Sequence, residues 1–236
     1  MSLYTASSVP DLYLRSHFLR LSTISTMAGI LIYLQYFLGR LLYRIRGHDA
    51  GLIIRTAAFE DLPLSNIQLE ATECGPSGSS MLPHHTCLAA DKNGSFPELH
   101  WTPPPKVEVK EYILISEDID PPIPRFVVMH GLFYAIPPKI TRVLPDDTEQ
   151  DRNTKDHVTR SGWRFVPNLR GNPYIGPAPP LGHGAHRYIF TVVALSESLR
   201  FDHSQRVSQK QITKAMVGKV VGWGQWVGYF ERPWPS

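Results

Sequence analysis

The chain reads Gly176-Pro177-Ala178-Pro179-Pro180-Leu181-Gly182-His183-Gly184-Ala185-His186-Arg187-Tyr188 immediately before the apolar, β-branched run 189–195. That run predicts a buried strand. In the stretch before it, prolines fix φ and glycines let the backbone approach a ligand closely. Histidine, arginine and tyrosine at its end are hydrogen-bond donors that suit a phosphate or carboxylate. The stretch therefore predicts a rigid, donor-rich loop that leads into the core and can line an anion pocket.

The composition bounds the architecture. A chain of 236 residues with 42% hydrophobic residues can form one domain with an appendage. Proline is unusually frequent, at 21 residues, about 9% of the chain against the ~5% of average proteins. Because proline interrupts both helices and central strands, this frequency favours loops and edge strands and argues against a helical bundle.

The charge and the cysteines exclude several classes of protein. The net charge of +3 is small, and no basic face is interleaved with aromatic residues, so we expect no nucleic-acid partner. The two cysteines, Cys74 and Cys87, have twelve residues between them. That spacing fits neither a zinc pair nor a disulfide framework, so we expect a reduced, cytoplasmic setting.

Residues 1–50 form a predicted N-terminal extension with an apolar helix. Its apolar run, 27–39, is 13 residues long, which is shorter than the ~20 residues that a membrane-spanning helix needs. Arg40, Arg44 and Arg46 follow at the end of the helix, where the dipole favours cations. Three interpretations stay open: docking on the domain, a second copy or a partner protein; contact with a membrane surface; or a mitochondrial presequence.

Residues 51–236 form a predicted mainly β domain. Short apolar runs alternate with turns rich in proline and glycine, which is typical of an antiparallel β-sandwich with peripheral helices. The strand candidates are 67–69, 107–115, 126–136, 163–166, 185–195 and 222–232. The polar span 142–168 is predicted to be a long surface loop. Ser208 is a predicted N-cap for a helix within 207–221.

A second segment that carries chemistry is Glu117-Asp118-Ile119-Asp120-Pro121-Pro122, with His130 ten residues beyond Asp120. Taken alone, it fits an ordinary turn whose carboxylates accept backbone N–H groups. Asp118, Asp120, His130 and His186 offer oxygen and nitrogen atoms of the kind that bind metals, but no tight His-x-His spacing joins them. We therefore expect neither a metal nor another cofactor.

Together the two segments resemble the phosphatidylethanolamine-binding protein family, which includes the Raf-kinase-inhibitor-like proteins. The turn at 118–122, with the later pair His130-Gly131, is similar to the family's Asp-Pro-Asp-x-Pro turn and its strand bearing His-Trp. The family's Gly-Pro-x-Pro-Pro loop and His-Arg-Tyr motif match 176–180 and 186–188. Residues 96–101 and 227–232 resemble the bacterial-type branch of the family. The N-terminal helix followed by residues 46–52 is similar to fungal members of the family.

Two departures from the family pattern bear on the pocket. Ile119 stands where the family has the first proline of its turn, and Gly131 stands where it has the tryptophan after the histidine. Because glycine has no side chain, we expect extra space beside His130 and a pocket larger than the family's.

The resemblance also implies a set of residues around a small anion cavity. The ligand-binding positions carried over are Asp118, Asp120, His130, Gly176, Pro177, His186 and Tyr188. Within this set the expected roles are orientation by Asp118 and donation to the anion by His130, His186 and Tyr188. The physical chemistry agrees, since a nearby carboxylate favours protonated histidines.

The resemblance leaves two classes of function open. In the first, the protein binds a small phosphate- or carboxylate-bearing ligand, and fungal homologues imply a natural-product pathway, including those that build maleidrides. In the second, it is a cofactor-free cyclase or lyase in which His130, His186 and Asp118 perform acid–base chemistry on a carboxylate or anhydride. A non-catalytic protein that binds lipid head groups or modulates a kinase is a further alternative.

Overall fold

The computed structural model describes residues 27, 29–60, 65–154, 156–202 and 206–234. Within them, the predicted apolar runs form two antiparallel sheets. The strands are β1 (Leu69–Ala71), β2 (Leu99–Trp101), β3 (Glu111–Asp118), β4 (Val128–Ile136), β5 (Arg142–Val143), β6 (Arg164–Val166), β7 (His186–Leu195) and β8 (Val220–Phe230). Helix α1 covers residues 29–41 and helix α2 covers Gln209–Met216. The predicted β-sandwich with peripheral helices and an N-terminal helix is confirmed.

The larger sheet has the strand order β6-β4-β3-β7-β8, and the smaller one has β1-β2-β5. Strand β3 lies at the centre of the larger sheet, and all eight of its residues are buried. Its register sets Asp118 opposite Val128 of β4 and opposite Tyr188 of β7. The pairing therefore brings the two chemically distinctive segments of the sequence to the same end of one sheet.

Both faces of the larger sheet are covered. One face packs against the smaller sheet through a cluster rich in aromatic side chains, including Phe96, Phe190 and Trp226. The other face packs against α2 and the short 3₁₀ turns between residues 49 and 59. Because β3 and β7 are covered on both sides, each has a largely apolar stretch, 112–115 in β3 and 188–195 in β7, as buried strands require.

Helix α2 begins where the sequence predicted. Ser208 caps it, accepting a hydrogen bond from the Gln211 backbone while the Gln211 side chain accepts one from the Ser208 N–H, a reciprocal capping box. Its buried side chains are Ile212 and Met216. The helix ends at Met216 because Gly218 takes a positive φ of 74°, and the chain turns there into β8.

The structure differs from the sequence predictions in the bounds of one loop and one strand. The span 142–168 is not one continuous surface loop, since it holds β5, a 3₁₀ turn at Pro145–Thr148 and β6. Strand β6 corresponds to the strand candidate 163–166, whereas β5, with two residues, carries too little periodicity to be seen in sequence. Strand β3 begins at Glu111 rather than at Val107, after a turn in which Lys106 has a φ of 61°.

Helix α1 lies against the loop 181–185. Gly39 is in tight contact with the Leu181 carbonyl, and the backbone of Tyr36 contacts Gly182. The outer side of the helix exposes large apolar side chains, namely Met27, Ile30, Leu31, Tyr33, Leu34, Phe37, Leu38 and Leu41. Over the described ranges, no helix combines the length and hydropathy needed to span a bilayer.

Candidate functional site

The last residue of β3 and the first residue of β7 share a hydrogen bond. His186 Nδ1 lies 2.9 Å from Asp118 Oδ2, and both side chains are buried. The other oxygen of Asp118 accepts a hydrogen bond from the Asp120 backbone N–H at 2.8 Å. Two segments that are 68 residues apart in sequence therefore meet through one carboxylate, as the resemblance implied.

The hydrogen bonds continue from His186 toward the N-terminal segment. His186 Nε2 lies 2.7 Å from His183 Nδ1, and His183 Nε2 lies 3.0 Å from the carbonyl oxygen of Leu42. Arg46 also donates to the carbonyls of His183 and Ala185. A buried relay, Asp118–His186–His183, thus connects the end of the central strand to the segment that follows α1.

The acceptors at the ends of this relay determine where its protons lie. The Leu42 carbonyl only accepts, so the proton of that bond is on His183 Nε2. Arg46 Nη2, which only donates, lies 3.4 Å from His183 Nδ1. His183 Nδ1 is therefore an acceptor and carries no proton. The middle proton is then on His186 Nε2. With Asp118 as a carboxylate, which only accepts, His186 Nδ1 also carries a proton, so His186 is doubly protonated and His183 is neutral.

This charge distribution agrees with the surroundings of His183. Burial lowers its pKa, and the positive charge of His186 lowers it further. A single positive charge is therefore held on His186, where the Asp118 carboxylate neutralises it. Both nitrogens of His186 are occupied, so its contribution to a guest is electrostatic in this conformation.

His130 lies beside this relay. Its Nδ1 donates to the Ile175 carbonyl at 2.6 Å, and its ring meets the ring of Tyr188 edge-on, with centroids 5.2 Å apart. Burial lowers the pKa of His130, although the Asp118 charge opposes the shift. The neutral imidazole with a proton on Nδ1 leaves a lone pair on Nε2, and no bond to that atom occurs among the described residues.

Two phenol hydroxyls near His130 are also unsatisfied. The hydroxyls of Tyr174 and Tyr188 are buried and have no hydrogen-bond partner within the described part of the chain. Burial raises the pKa of both phenols, and the Asp118 charge raises that of Tyr188 further. Both groups therefore stay protonated and remain donors. An unpaired buried hydroxyl is costly, which points to a partner outside the described residues.

The remaining predicted site residues have structural contacts. Asp120 accepts four hydrogen bonds, from the Gly47 N–H and from the backbone N–H, Nε and Nη2 of Arg187. A side chain at Gly176 would collide with the carbonyls of His85 and Asn93. The Pro177 carbonyl accepts from the backbone of Cys87. These three residues hold the loops around the site in place.

Comparison with known proteins decides the family. The model of the family described as phosphatidylethanolamine-binding protein matches residues 75–231, which is more than half of the chain. The chain belongs to the phosphatidylethanolamine-binding protein family.

Relatives and a solved structure agree with this assignment. The chain is 39% identical to phomoidride biosynthesis cluster protein B of Fungal sp. (strain ATCC 74256), over 88% of this chain and 99% of that one. It is 37% identical to the protein of the same name from Talaromyces stipitatus, over 98% and 94%. The crystal structure of Escherichia coli YbcL has a TM-score of 0.57 at 21% identity, covering 72% of this chain and all of that one, which shows the shared fold.

The extra space that was expected at Gly131 is not found in the structure. A Cβ added to Gly131 would lie 3.1 Å from the Pro173 carbonyl oxygen and 3.2 Å from Tyr174 Cδ2. Gly131 also forms a β-bridge with Tyr174. The space beside the Gly131 Cα is therefore occupied by Phe133 and by the segment 173–174 rather than open, and glycine permits this close approach.

Three residues of the site were not assigned from sequence. His183 stands inside the opening stretch, three residues before His186, so its position was the available signal. Tyr174 carried no motif, and its role follows from its bridge to Gly131. Arg170, whose charge acts on His130, lies in an exposed turn that the sequence pattern does not connect to the site.

Proposed function

We propose that this protein binds a small carboxylate- or phosphate-bearing molecule beside His130 and Tyr188. The observation that carries the proposal is the buried Tyr188 hydroxyl, which is held protonated and has no partner among the described residues. An anionic oxygen would accept this hydrogen bond, and bonds to charged acceptors are about twice as strong as neutral ones.

The neighbouring groups favour an anion over a neutral guest. The Tyr174 hydroxyl is a second unpaired donor, and the Arg170 charge acts on the same site. The charge of Asp118 is already neutralised by His186 at 2.9 Å. An anion arriving there would raise the pKa of His130, and the resulting imidazolium would add a third donor through Nε2.

The proposed setting is the biosynthesis of a fungal natural product. Support comes from the two relatives named as phomoidride biosynthesis cluster proteins, one of which aligns with 98% of this chain. A carboxylate intermediate, such as those of maleidride pathways, has the negative charge that the unpaired donors of the site would recognise. Binding of a lipid head group or modulation of a kinase would use the same anion donors on a different guest.

A catalytic role is the second candidate, and His130 is the observation that favours it. In its neutral form, His130 Nε2 carries a lone pair that can take a proton from an acidic C–H group or a carboxylic acid. Its Nδ1–H bond to the Ile175 carbonyl fixes this tautomer. Turnover of a β-keto acid that is lost in His130→Gln would mark an enzyme, and binding without turnover would mark a binding protein.

Removal of the Tyr188 hydroxyl tests the binding proposal. We expect Tyr188→Phe to weaken the binding of maleate, measured by titration calorimetry, by about tenfold or more, because a hydrogen bond to a charged group contributes ~1.5–3 kcal/mol. The same substitution should leave the free energy of unfolding unchanged or slightly raised, because it removes an unsatisfied buried group.

Two controls make this titration specific. Tyr112→Phe removes a hydroxyl from a buried tyrosine at the opposite end of β3, and it should leave the affinity for maleate unchanged. Dimethyl maleate lacks the charges and should bind at least tenfold more weakly than maleate. A titration with inorganic phosphate shows whether the site binds phosphate as well as carboxylate. Equal affinity of Tyr188→Phe and wild type for maleate and for phosphate would reject the proposal.

A further inference from the structure

A second cluster of polar side chains lies outside the Asp118 site. Glu73, in the turn after β1, and His84 and His85, in the 3₁₀ turn Pro83–His85, offer three ligand atoms that all lie within 4.8 Å of one another. His84 Nε2 is 3.2 Å from Glu73 Oε2, and His85 Nε2 is 4.0 Å from the same oxygen. Two imidazoles thus face one carboxylate.

The environment of His85 is the unusual part of this cluster. The side chain is completely buried, and its Nε2 has no hydrogen-bond partner among the residues that the structure describes. Its Nδ1 lies 3.2 Å from the Ser95 carbonyl oxygen and 3.1 Å from Ser95 Oγ. The Ser95 hydroxyl donates its own proton to the His84 carbonyl, so His85 Nδ1 carries a proton and is the donor. In the neutral ring, Nε2 then carries no proton, and its lone pair lies on the side of Glu73.

We propose that Glu73, His84 and His85 bind one divalent transition-metal ion of the Zn²⁺ type. Imidazole nitrogen and carboxylate oxygen are ligands that suit this class of ion. A histidine ligand whose other nitrogen donates to a backbone carbonyl, as His85 does to Ser95, is the usual outer arrangement of such sites. An ordinary surface ion pair between His84 and Glu73 would leave the His85 nitrogen unexplained.

The side chains need to move only a little to bind the ion. Ligand atoms around a tetrahedral zinc ion at ~2.0 Å stand ~3.3 Å apart, a separation that His84 and Glu73 already have. Glu73 and His84 are exposed side chains, so they can close on the buried, fixed nitrogen of His85. Three protein ligands leave one coordination position open, and His84 also lines a cavity of about 570 Å³. The position can therefore take water or an exogenous carboxylate.

The chain supplies a matched control. His100 Nε2 lies 3.1 Å from Glu70 Oε2 in a pair that is exposed to the same degree as His84 and Glu73, but it lacks a second, buried imidazole. If exposed histidine–glutamate pairs bound metal by themselves, the two pairs would behave alike. The proposal instead assigns tight binding to the cluster with His85.

The test is a calorimetric titration of the full chain with ZnCl₂ after removal of metal by a chelator. We expect one ion per chain, with His84→Ala and Glu73→Gln each weakening the affinity at least tenfold and His100→Ala leaving it unchanged. Co²⁺ in place of Zn²⁺ should give the visible absorption bands of a four-coordinate site, and these bands should be lost in His84→Ala.

His85→Asn provides a direct test of the buried ligand, because the asparagine amide can replace the Nδ1–H bond to Ser95 while removing Nε2. It should fold and lose the Zn²⁺ site. If that variant does not fold, His84→Ala still decides the matter, since His84 is exposed. The proposal is overturned if His84→Ala and His100→Ala weaken Zn²⁺ binding equally, or if the wild-type chain binds no Zn²⁺ in the calorimeter.

Discussion

Asp120→Ala should lower the free energy of unfolding by about 3–5 kcal/mol, the usual effect of removing one partner from a buried ion pair. Although burial alone would raise it, the hydrogen bonds from Arg187 and Gly47 lower the pKa of Asp120 to about 2. Its oxygens lie 2.7–2.9 Å from these donors. The substitution would leave Arg187, at the start of β7, without its carboxylate and would release the backbone at Gly47.

The pH dependence gives this prediction a second readout. A carboxylate with a depressed pKa stabilises the fold above its unfolded pKa of ~4, and that contribution is lost as the pH falls toward 2. Urea denaturation of the wild type at pH 7 and at pH 3 should therefore show a loss of stability that Asp120→Ala lacks. Asp49→Ala is the control, because Asp49 contacts the same Arg187 at 3.6 Å but is half exposed. If the two alanine variants were equally stable, the role assigned to Asp120 would be wrong.

Asp118→Leu is expected to destabilise the protein by a similar ~3–5 kcal/mol, because it strands a buried, charged His186. The substitution also removes the acceptor of the Asp120 N–H. Since the relay reaches Leu42 through His183, the segment between α1 and residue 46 should loosen. Urea denaturation would report the loss of stability, and limited trypsin cleavage at the exposed Arg44 would report the release of the segment.

Asp118→Asn separates charge from hydrogen bonding at the same position. The amide NH₂ can donate to His186 Nδ1, which lets both histidines become neutral while every bond of the relay to Leu42 persists. This variant should therefore keep most of the stability that Asp118→Leu loses and should resist trypsin as the wild type does. Equal destabilisation by leucine and asparagine would contradict the proton positions assigned to the relay.

Much of the fold could be predicted from the sequence, because buried strands leave a strong local signal. The runs at 126–136 and 185–195 are long and apolar, and they correspond to β4 and β7. Ser208 as a predicted N-cap indicated the start of α2 in the same way. In contrast, β2 and β5 have three and two residues, and their formation depends on pairing with distant strands rather than on local pattern.

The motifs predicted which side chains would lie close together at this end of the sheet. Asp118, His130, His186 and Tyr188 follow from the resemblance, and the pairing of β3 with β4 and with β7 brings their strands together. His183 and Tyr174 owe their positions to contacts between distant segments, which one sequence does not reveal. The wrong expectation at Gly131 has the same cause. The loop at 173–174 that lies against Gly131 comes from a distant part of the chain, so the sequence of the strand does not indicate it.

The imidazole nitrogens of His130, observed by ¹⁵N-detected NMR, give the most direct test of an anion site at this end of the sheet. Without ligand at pH 7, Nε2 should have the shift of an unprotonated nitrogen, because burial lowers the pKa of His130. Saturation with maleate should move it toward the protonated value, and His130→Gln identifies the signal. If the His130 signals stay unchanged at saturating maleate, then the anion binds elsewhere or not at all, and the central claim fails.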